Sequence, residues 1–302
     1  MNLSGRGVGL SLIASLLFAL VPGYVGLLAP LDGVQVFAQR VLWSIPMVLL
    51  LVALGRQGGV LWAALRRLRH EPRLVAALPV AALLIGVQWG LFLWAPLVGR
   101  MLEVSLGYFL LPLVMVLCGR LFYGERLRPL QRIAVACALL GVAHELWLTQ
   151  AFSWLTLATA LGYPPYFMLR RWMGLDALSG FFLEMLLLAP LAIWLILHYG
   201  PDQVFVLAPQ LWWLLPGLGL LGTLAFAAMM ASSRLLPLGV FGILSYVEPV
   251  LLFGVAVLLL GETFAPAQLW TYAPIWLAVL LTGWDSGRLL HRQARRIEPV
   301  DH

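Results

Sequence analysis

The chain has 302 residues, of which 62% are hydrophobic and only 11% are charged. Soluble globular domains carry about 25% charged residues, so this composition excludes an ordinary soluble domain and predicts a protein of the lipid bilayer. The formal net charge of +6 comes without a nucleic-acid-binding motif, and we expect no nucleic-acid partner.

Ten apolar segments are long enough to be membrane-spanning helices, because a helix needs about 20 residues to cross about 30 Å of hydrocarbon. They fall at 8–28, 34–54, 74–97, 102–122, 130–149, 152–170, 178–199, 210–231, 239–260 and 267–286. The connections are mostly short, and only 56–73 and 200–209 have any length. This pattern predicts a compact all-α bundle of antiparallel neighbours with no soluble domain.

The first segment is expected to be a helix of the mature protein. It has no small-residue cleavage site and is followed by many similar segments, which is unlike a signal peptide. Cys118 and Cys137 both lie in apolar segments, where packing is their expected role. Neither metal-ligand spacing nor a cofactor fingerprint occurs, so we expect no cofactor and no metal.

Orientation is predicted by the basic residues, all of which are arginine. If the N-terminus is cytoplasmic, every arginine except Arg40 and Arg100 falls at the cytoplasmic side of the ten segments. This bias predicts that both termini lie inside a bacterial inner (plasma) membrane. It also predicts attraction to the anionic headgroups of the lipid bilayer.

The second segment contains an arginine. Arg40 is one helical turn from Trp43 and Ser44, so a guanidinium and an indole share a helix face. An ionisable group inside a span costs at least about 2.5–3.5 kcal/mol on insertion scales and is a functional candidate. We predict that Arg40 binds a substrate carboxylate and that Trp43 supplies an apolar or cation–π wall. Alternatively, Arg40 reaches the outer surface or pairs with Glu103.

The third and fourth segments offer further substrate-binding candidates. Gln88 puts an amide in mid-span beside Trp89, and we assign both to the binding site. Glu103 begins the fourth segment and Tyr108 follows it, and both are assigned to the same site. The alternative for Glu103 is a surface pair with Arg100, and the alternative for Tyr108 is a bond to nearby backbone.

Two carboxylates lie in later segments. Glu184 is surrounded by phenylalanines and leucines in the seventh segment, which suits a group that takes up and releases a proton during a transport cycle. The alternative is an internal pair without a role in transport. Glu248 precedes Pro249, and exposed carbonyls and a carboxylate there would line a polar cavity, so Glu248 is also assigned to substrate binding.

Four residues are expected to act as hinges or packing points. Pro112 and Pro249 interrupt the backbone hydrogen bonding of the fourth and ninth segments. Gly107 and Gly242 are expected to allow bending or close helix approach.

Part of the chain occurs twice. A shift of 137 residues moves Pro112, Gly124, Glu125, Pro129 and Gln131 onto Pro249, Gly261, Glu262, Pro266 and Gln268, and also moves Pro79 to Pro216 and Trp147 to Trp284. Five segments separate the copies, so the second copy is inverted in the membrane. We therefore divide the chain into a first five-helix repeat over 1–150, a second over 151–288 and a basic cytoplasmic tail over 289–302. Inverted repeats are typical of secondary transporters with a midplane site.

Several fragments resemble a known family. QRVLWS (39–44), LEVSLGYF (102–109), Pro112 and GERLRPLQ (124–131) are similar to the RarD group of the EamA family in the drug/metabolite transporter superfamily, and the likeness covers essentially the whole chain. The resemblance implies ten transmembrane helices in two inverted repeats and the movement of small metabolites or drugs. Glu248 departs from the small or uncharged residue expected there, which weakens its assignment.

Taken together, these features predict a secondary transporter that exports small organic solutes by alternating access, with a proton as a candidate coupling ion. The alternatives are an intramembrane lipid-modifying or hydrolytic enzyme, or a passive channel. The enzyme is disfavoured because His144 and Glu145 lack the second histidine of a zinc-protease motif. A channel would need a continuous polar lining, whereas the polar residues are few and clustered.

Overall fold

The computed structural model describes residues 4–150, 152–200, 206, 208–258, 267 and 269–297, and within them only helices and their connections occur. The helices are α1 Gly5–Gly26, α2 Gly33–Leu54, α3 Gly58–His70, α4 Pro72–Leu97, α5 Met101–Tyr123, α6 Pro129–Thr149, α7 Trp154–Met173, α8 Ala177–Tyr199, α9 Leu211–Leu235, α10 Leu238–Leu244, α11 Val247–Leu258 and α12 Leu269–Ile297. The second copy of the glycine–glutamate motif, Gly261 and Glu262, lies outside these residues.

Local sequence signals explain where the helices begin and end. Asp32 and Asp176 precede α2 and α8, and their carboxylates accept hydrogen bonds from the first turn of each helix. Ser153 caps α7 in the same way. Such caps satisfy amide groups that the helix itself leaves unpaired. Gly124 ends α5 with a φ of 63°, a left-handed conformation that glycine adopts without a steric penalty.

In the described part of the chain, seven helices are long and apolar enough to cross a membrane: α1, α2, α4, α5, α6, α8 and α9. Their outward faces carry large exposed apolar side chains, among them Leu54, Leu83, Leu197 and Trp213. A bilayer accommodates such faces at no cost, whereas water would not. The described part of the chain therefore has the surface of a multi-pass membrane protein.

Three predicted boundaries were wrong. The connection over 56–73 contains the helix α3, whose last turn carries Arg67 and Arg69. Its Leu61, Leu65 and Leu68 share the side that packs on the core. The ninth segment is divided into α10 and α11 by a turn at Ser245 and Tyr246, because Pro249 has no amide hydrogen to continue the helix. The last helix runs to Ile297, well past residue 286.

The helices pack in a small set of pairs. Helix α1 lies against α9, and α4 lies against α7. Helix α2 contacts both α8 and α9, α5 contacts both α7 and α10, and α6 lies against α12. The largest buried apolar cluster joins α2, α4, α7, α8 and α9. The polar side chains considered next lie in and around this cluster.

Candidate functional site

The Arg40 side chain enters the core from α2. Its guanidinium carbon lies 4.1 Å from the centre of the Trp89 ring on α4, a cation–π contact. Its Nε and one terminal nitrogen, Nη2, are buried and have no hydrogen-bonding partner among the described residues. Gly222 of α9 leaves room for the guanidinium, since a Cβ atom there would lie 3.0 Å from Nε. A cation with buried, unused donor nitrogens is suited to an anionic ligand group.

Trp89 is part of an aromatic cluster between α4, α8 and α9. Its ring meets Phe226 edge to face at 5.7 Å and Phe181 at 6.2 Å. Phe181 and Phe226 lie 4.5 Å apart. Aromatic pairs at these separations add about 0.5–1.5 kcal/mol each beyond the burial of their area. The cluster therefore gives the site a firm apolar wall.

Two tyrosines and a glutamate surround the same arginine. The hydroxyls of Tyr108 on α5 and Tyr163 on α7 lie 3.2 Å apart and are hydrogen-bonded. Both tyrosines, and Glu248 in the first turn of α11, are close enough to Arg40 to interact with it electrostatically. Arg40 and Glu248 form no ion pair in the described structure. The site thus presents a cation, a carboxylate and two hydroxyls beside an aromatic wall.

A second charged cluster is buried on α7 and α8. Glu184 is fully buried and accepts a hydrogen bond of 2.8 Å from the Tyr166 hydroxyl. Its other oxygen, Oε1, lies 3.4 Å from Nε of Arg170, an ion pair in which the arginine is only 3% exposed. Arg170 also donates to the Ala177 carbonyl at 3.1 Å. The internal pair considered for Glu184 is thus present.

The burial of Arg170 goes beyond what the arginine pattern predicts. The pattern assigns Arg170 only to the cytoplasmic side of the segments, whereas the structure shows it in the last turn of α7 with its side chain buried in the core. The topology rule counts arginines near the ends of spans and carries no information about which way a side chain points. The sequence feature that could indicate a buried Arg170 is Glu184 in the next apolar segment, since a buried charge requires a partner.

Two of the predicted binding residues point elsewhere. Trp43 packs in a separate cluster of α1, α2 and α9, where its backbone approaches Gly219, and the indole beside Arg40 is that of Trp89. Gln88 donates from Nε2 to the Ala158 carbonyl at 3.0 Å, which ties α4 to α7, while its Oε1 is buried without a partner among the described residues.

Glu103 is also separated from Arg40. Both of its oxygens accept hydrogen bonds of 2.6 Å from Arg100, and it is hydrogen-bonded to the Ser153 hydroxyl. The Glu103 backbone carbonyl accepts a further bond from Thr156. These contacts join the start of α5 to the start of α7, which is the surface-pair alternative considered from the sequence.

The predicted packing glycines contact neighbouring helices closely. A Cβ atom on Gly107 would lie 2.5 Å from the Thr159 Cβ atom, and one on Gly242 would lie 2.9 Å from the Pro112 carbonyl oxygen. Pro112 thus lies where α5 and α10 touch. Pro249 lies in the first turn of α11, just after the break in the ninth segment.

The chain is similar to several curated proteins over nearly all of its length. It is 69% identical over 297 residues to the chloramphenicol-sensitive protein RarD of Pseudomonas aeruginosa, covering 98% of this chain and 99% of that one. It is 35% identical to an uncharacterized transporter of Haemophilus influenzae, with 94% and 95% covered, and 32% identical to the protein RarD of Escherichia coli, with 93% and 95% covered.

The fold also has a solved counterpart. A chain described only as a crystal structure of a protein superimposes with a TM-score of 0.69 at 20% identity, covering 93% of this chain and 98% of the other. Identity this low shows the fold alone. No protein-family model matches the sequence.

Apolar helices around a buried polar site, together with relatives named as transporters, define a multi-pass membrane transporter. The near full-length identity to RarD proteins makes the classification narrower. The chain belongs to the RarD family of EamA-like transporters.

Proposed function

We propose that the protein is a secondary transporter that exports small organic metabolites or drugs across the bacterial inner membrane by alternating access. The observation that carries this proposal is the Arg40 guanidinium, which lies over Trp89 and has two buried donor nitrogens unused among the described residues. Buried donor nitrogens without hydrogen-bonding partners are costly, so they are retained where a ligand supplies the acceptor atoms. The substrate therefore has an anionic group for Arg40 and an apolar or aromatic part for Trp89.

Two inverted five-helix repeats are part of this proposal, and the helix pairs support them. When each helix of one half is exchanged for its counterpart in the other, the contact of α1 with α9 becomes that of α7 with α4. The pairs α2–α8, α5–α10 and α6–α12 each join a helix to its own counterpart. A pseudo-twofold axis would produce this arrangement, and transporters with such repeats bind substrate between the halves.

Both termini are proposed to be cytoplasmic. Arg67, Arg171 and Arg234, from α3, α7 and α9, all contact backbone carbonyls around the two connections α7–α8 and α9–α10. Their grouping at one end of the bundle supports assigning that end to the arginine-rich cytoplasmic side.

Proton coupling is proposed to act through Glu184. The support is its complete burial beside one arginine and one tyrosine, where a change of proton occupancy alters the balance of the ion pair. In proteoliposomes with an imposed pH gradient, Glu184→Gln should abolish the acceleration of transport by the gradient. Unchanged gradient-driven transport in this variant would remove Glu184 from the coupling step.

The proposed function is tested first by ligand binding. The purified protein is screened for thermal stabilisation by amino acids, nucleosides, organic acids and amphenicol-type drugs. A ligand at about 100 times its dissociation constant adds about 2.7 kcal/mol of stability. Stabilisation should disappear in Arg40→Ala and persist in Arg128→Ala, a cytoplasmic-side arginine paired with Asp285.

Equal stabilisation of Arg40→Ala by the same ligand would contradict the proposed binding role of Arg40. Stabilisation by phospholipids alone would favour the alternative of a lipid-modifying enzyme.

A further inference from the structure

A second sequence correspondence relates α2 to α8. A shift of 144 residues moves Leu31, Asp32, Phe37, Leu42 and Pro46 onto Leu175, Asp176, Phe181, Leu186 and Pro190. The same shift moves Arg40 onto Glu184. The charged residues inside α2 and α8 thus occupy corresponding places in the two sequence repeats and have opposite sign.

The structure places the two residues equivalently on their helices. Each helix begins directly after its capping aspartate, and each charged residue follows the first helical residue, Gly33 or Ala177, at the same interval. Helices α2 and α8 also pack directly against each other.

The aromatic neighbours of the two charges correspond as well. Trp89 and Phe226 are related by the shift of 137 residues found in the repeated motif. Arg40 lies over Trp89, and Tyr166, which donates to Glu184, lies 6.1 Å from Phe226. Trp89 and Phe226 themselves meet at 5.7 Å, so a series of ring contacts runs from Arg40 to Tyr166, the partner of Glu184.

Glu184 and Arg40 differ in their ion-pair partners. Glu184 is paired with Arg170, and Arg170 also holds the first carbonyl of α8. Arg234 of α9 donates to the Leu175 carbonyl at 2.7 Å in the α7–α8 turn. Arg40 pairs with no carboxylate among the described residues. The end of α8 that carries Glu184 is therefore bonded to α7 and α9. No equivalent ion pair holds Arg40 on α2 among the described residues.

We propose that Arg40 and Glu184 are equivalent positions on the transport path, one in each repeat. We further propose that the Arg170–Glu184 ion pair closes this path on its cytoplasmic side. When the path opens on its cytoplasmic side, Arg170 separates from Glu184 and Glu184 becomes exposed to the cytoplasm. Arg170 acts as the positioning residue that holds Glu184 in the closed state. This inference rests on the inverted repeats of the proposed function.

The test measures access from the cytoplasmic side. Ser179 is buried in the first turn of α8, five residues before Glu184 on the same helix. A Ser179→Cys variant, with Cys118 and Cys137 replaced by alanine, is exposed in inside-out vesicles to a membrane-impermeant maleimide. The added double change Arg170→Gln and Glu184→Gln should raise the labelling rate at least about fivefold. Arg170→Lys should keep the low rate, because it preserves the ion pair.

The control is Arg128→Gln, which breaks an ion pair with Asp285 between α6 and α12, away from α8. It should leave labelling of the Ser179→Cys thiol unchanged. If the double variant does not fold, Arg234→Gln is the second variant, since it removes the bond to the α7–α8 turn from an exposed side chain. It should raise labelling at least about twofold.

Unchanged labelling in the double variant, or in Arg234→Gln if that variant is used, would overturn the inference, as would an equal increase in Arg128→Gln. Labelling needs no substrate. A failure of every ligand and transport assay would therefore count against the proposed function, while the accessibility result would still decide whether the Arg170–Glu184 ion pair closes the path on its cytoplasmic side.

Discussion

Tyr246 and Phe109 are 137 residues apart, the spacing of the repeated motif, and they are joined by a hydrogen bond. The buried Tyr246 hydroxyl donates to the Phe109 carbonyl of α5 at 2.7 Å. If the two halves are related by a twofold axis, residues at this spacing that touch must lie close to the axis. Trp89 and Phe226, which also have this spacing and also touch, mark a second point near it.

Removing the Tyr246 hydroxyl tests how much this contact stabilises the bundle. Tyr246→Phe should lower the free energy of unfolding by about 1 kcal/mol, the usual net value of a buried hydrogen bond. Unfolding in detergent, followed by tryptophan fluorescence, gives the value. The matched control is Tyr199→Phe, whose side chain is exposed at the end of α8 and should change stability by less than about 0.5 kcal/mol. Equal losses in both variants would show that the bond contributes nothing specific.

Gly107 provides a test of close packing between α5 and α7. Gly107→Ala would place a Cβ atom 2.5 Å from that of Thr159 and 2.8 Å from the Thr156 carbonyl oxygen. Overpacking of this kind costs about 1–3 kcal/mol. Gly90→Ala is the control, since its Cβ would meet nothing within 4 Å, and the better helix propensity of alanine should add up to about 1 kcal/mol. A neutral Gly107→Ala would mean that the two helices separate easily.

Glu125 connects the end of α5 to the beginning of α10. Its two oxygens accept hydrogen bonds from the Leu238 and Gly239 amides at 2.6 and 2.8 Å. Bonds to a charged acceptor are worth about 1.5–3 kcal/mol, so Glu125→Ala should destabilise the protein by about 2 kcal/mol in the same unfolding measurement. Glu71→Ala, in an exposed pair with Arg67, should leave the transition in place. A stable Glu125→Ala protein would argue that water replaces the carboxylate.

The cation–π contact of Arg40 is tested with Trp89→Phe. The smaller ring attracts a cation less strongly and fills less space, so the variant should lose about 1–2 kcal/mol of stability. Trp213→Phe is the control, because Trp213 is 83% exposed on the outer face of α9. In the background of Arg40→Ala, Trp89→Phe should cost less than it does in the parent protein. An identical cost in both backgrounds would show that the ring acts only as packing.

Much of the fold follows from apolar segment length alone. The seven helices among the described residues that are long and apolar enough to span a membrane all coincide with predicted segments. Helix α3 was not predicted because it is short and lies among arginines. Hydropathy averaged over a membrane-length window therefore does not reveal its apolar side. The division at Ser245 was foreshadowed by Pro249, but a proline in a span bends a helix as readily as it breaks one.

The candidate site was less accessible to sequence reasoning. Arg40, Trp89, Tyr108 and Glu248 come together, and each was singled out because it is polar or aromatic inside an apolar segment. The spacing from Arg40 predicts Trp43 as the neighbouring indole, but the rotation of α2 is set by its contacts with α8 and α9, about which helical periodicity gives no information. Arg170 could not be recognised because a basic residue at a helix end is ordinarily read as a topology signal.

The α7–α8 turn has a consequence for the order of assembly. The Leu175 carbonyl receives its hydrogen bond from Arg234, 59 residues later in the chain. In return, Arg171 of α7 holds the Ser233 and Leu236 carbonyls at the end of α9. As the chain leaves the ribosome, neither end can complete its bonding until α9 has been inserted. Until then the Leu175 carbonyl and the Arg171 guanidinium lack these hydrogen-bonding partners in the inserted first eight helices. A chain truncated before Arg234 should therefore remain a target for membrane quality-control proteases.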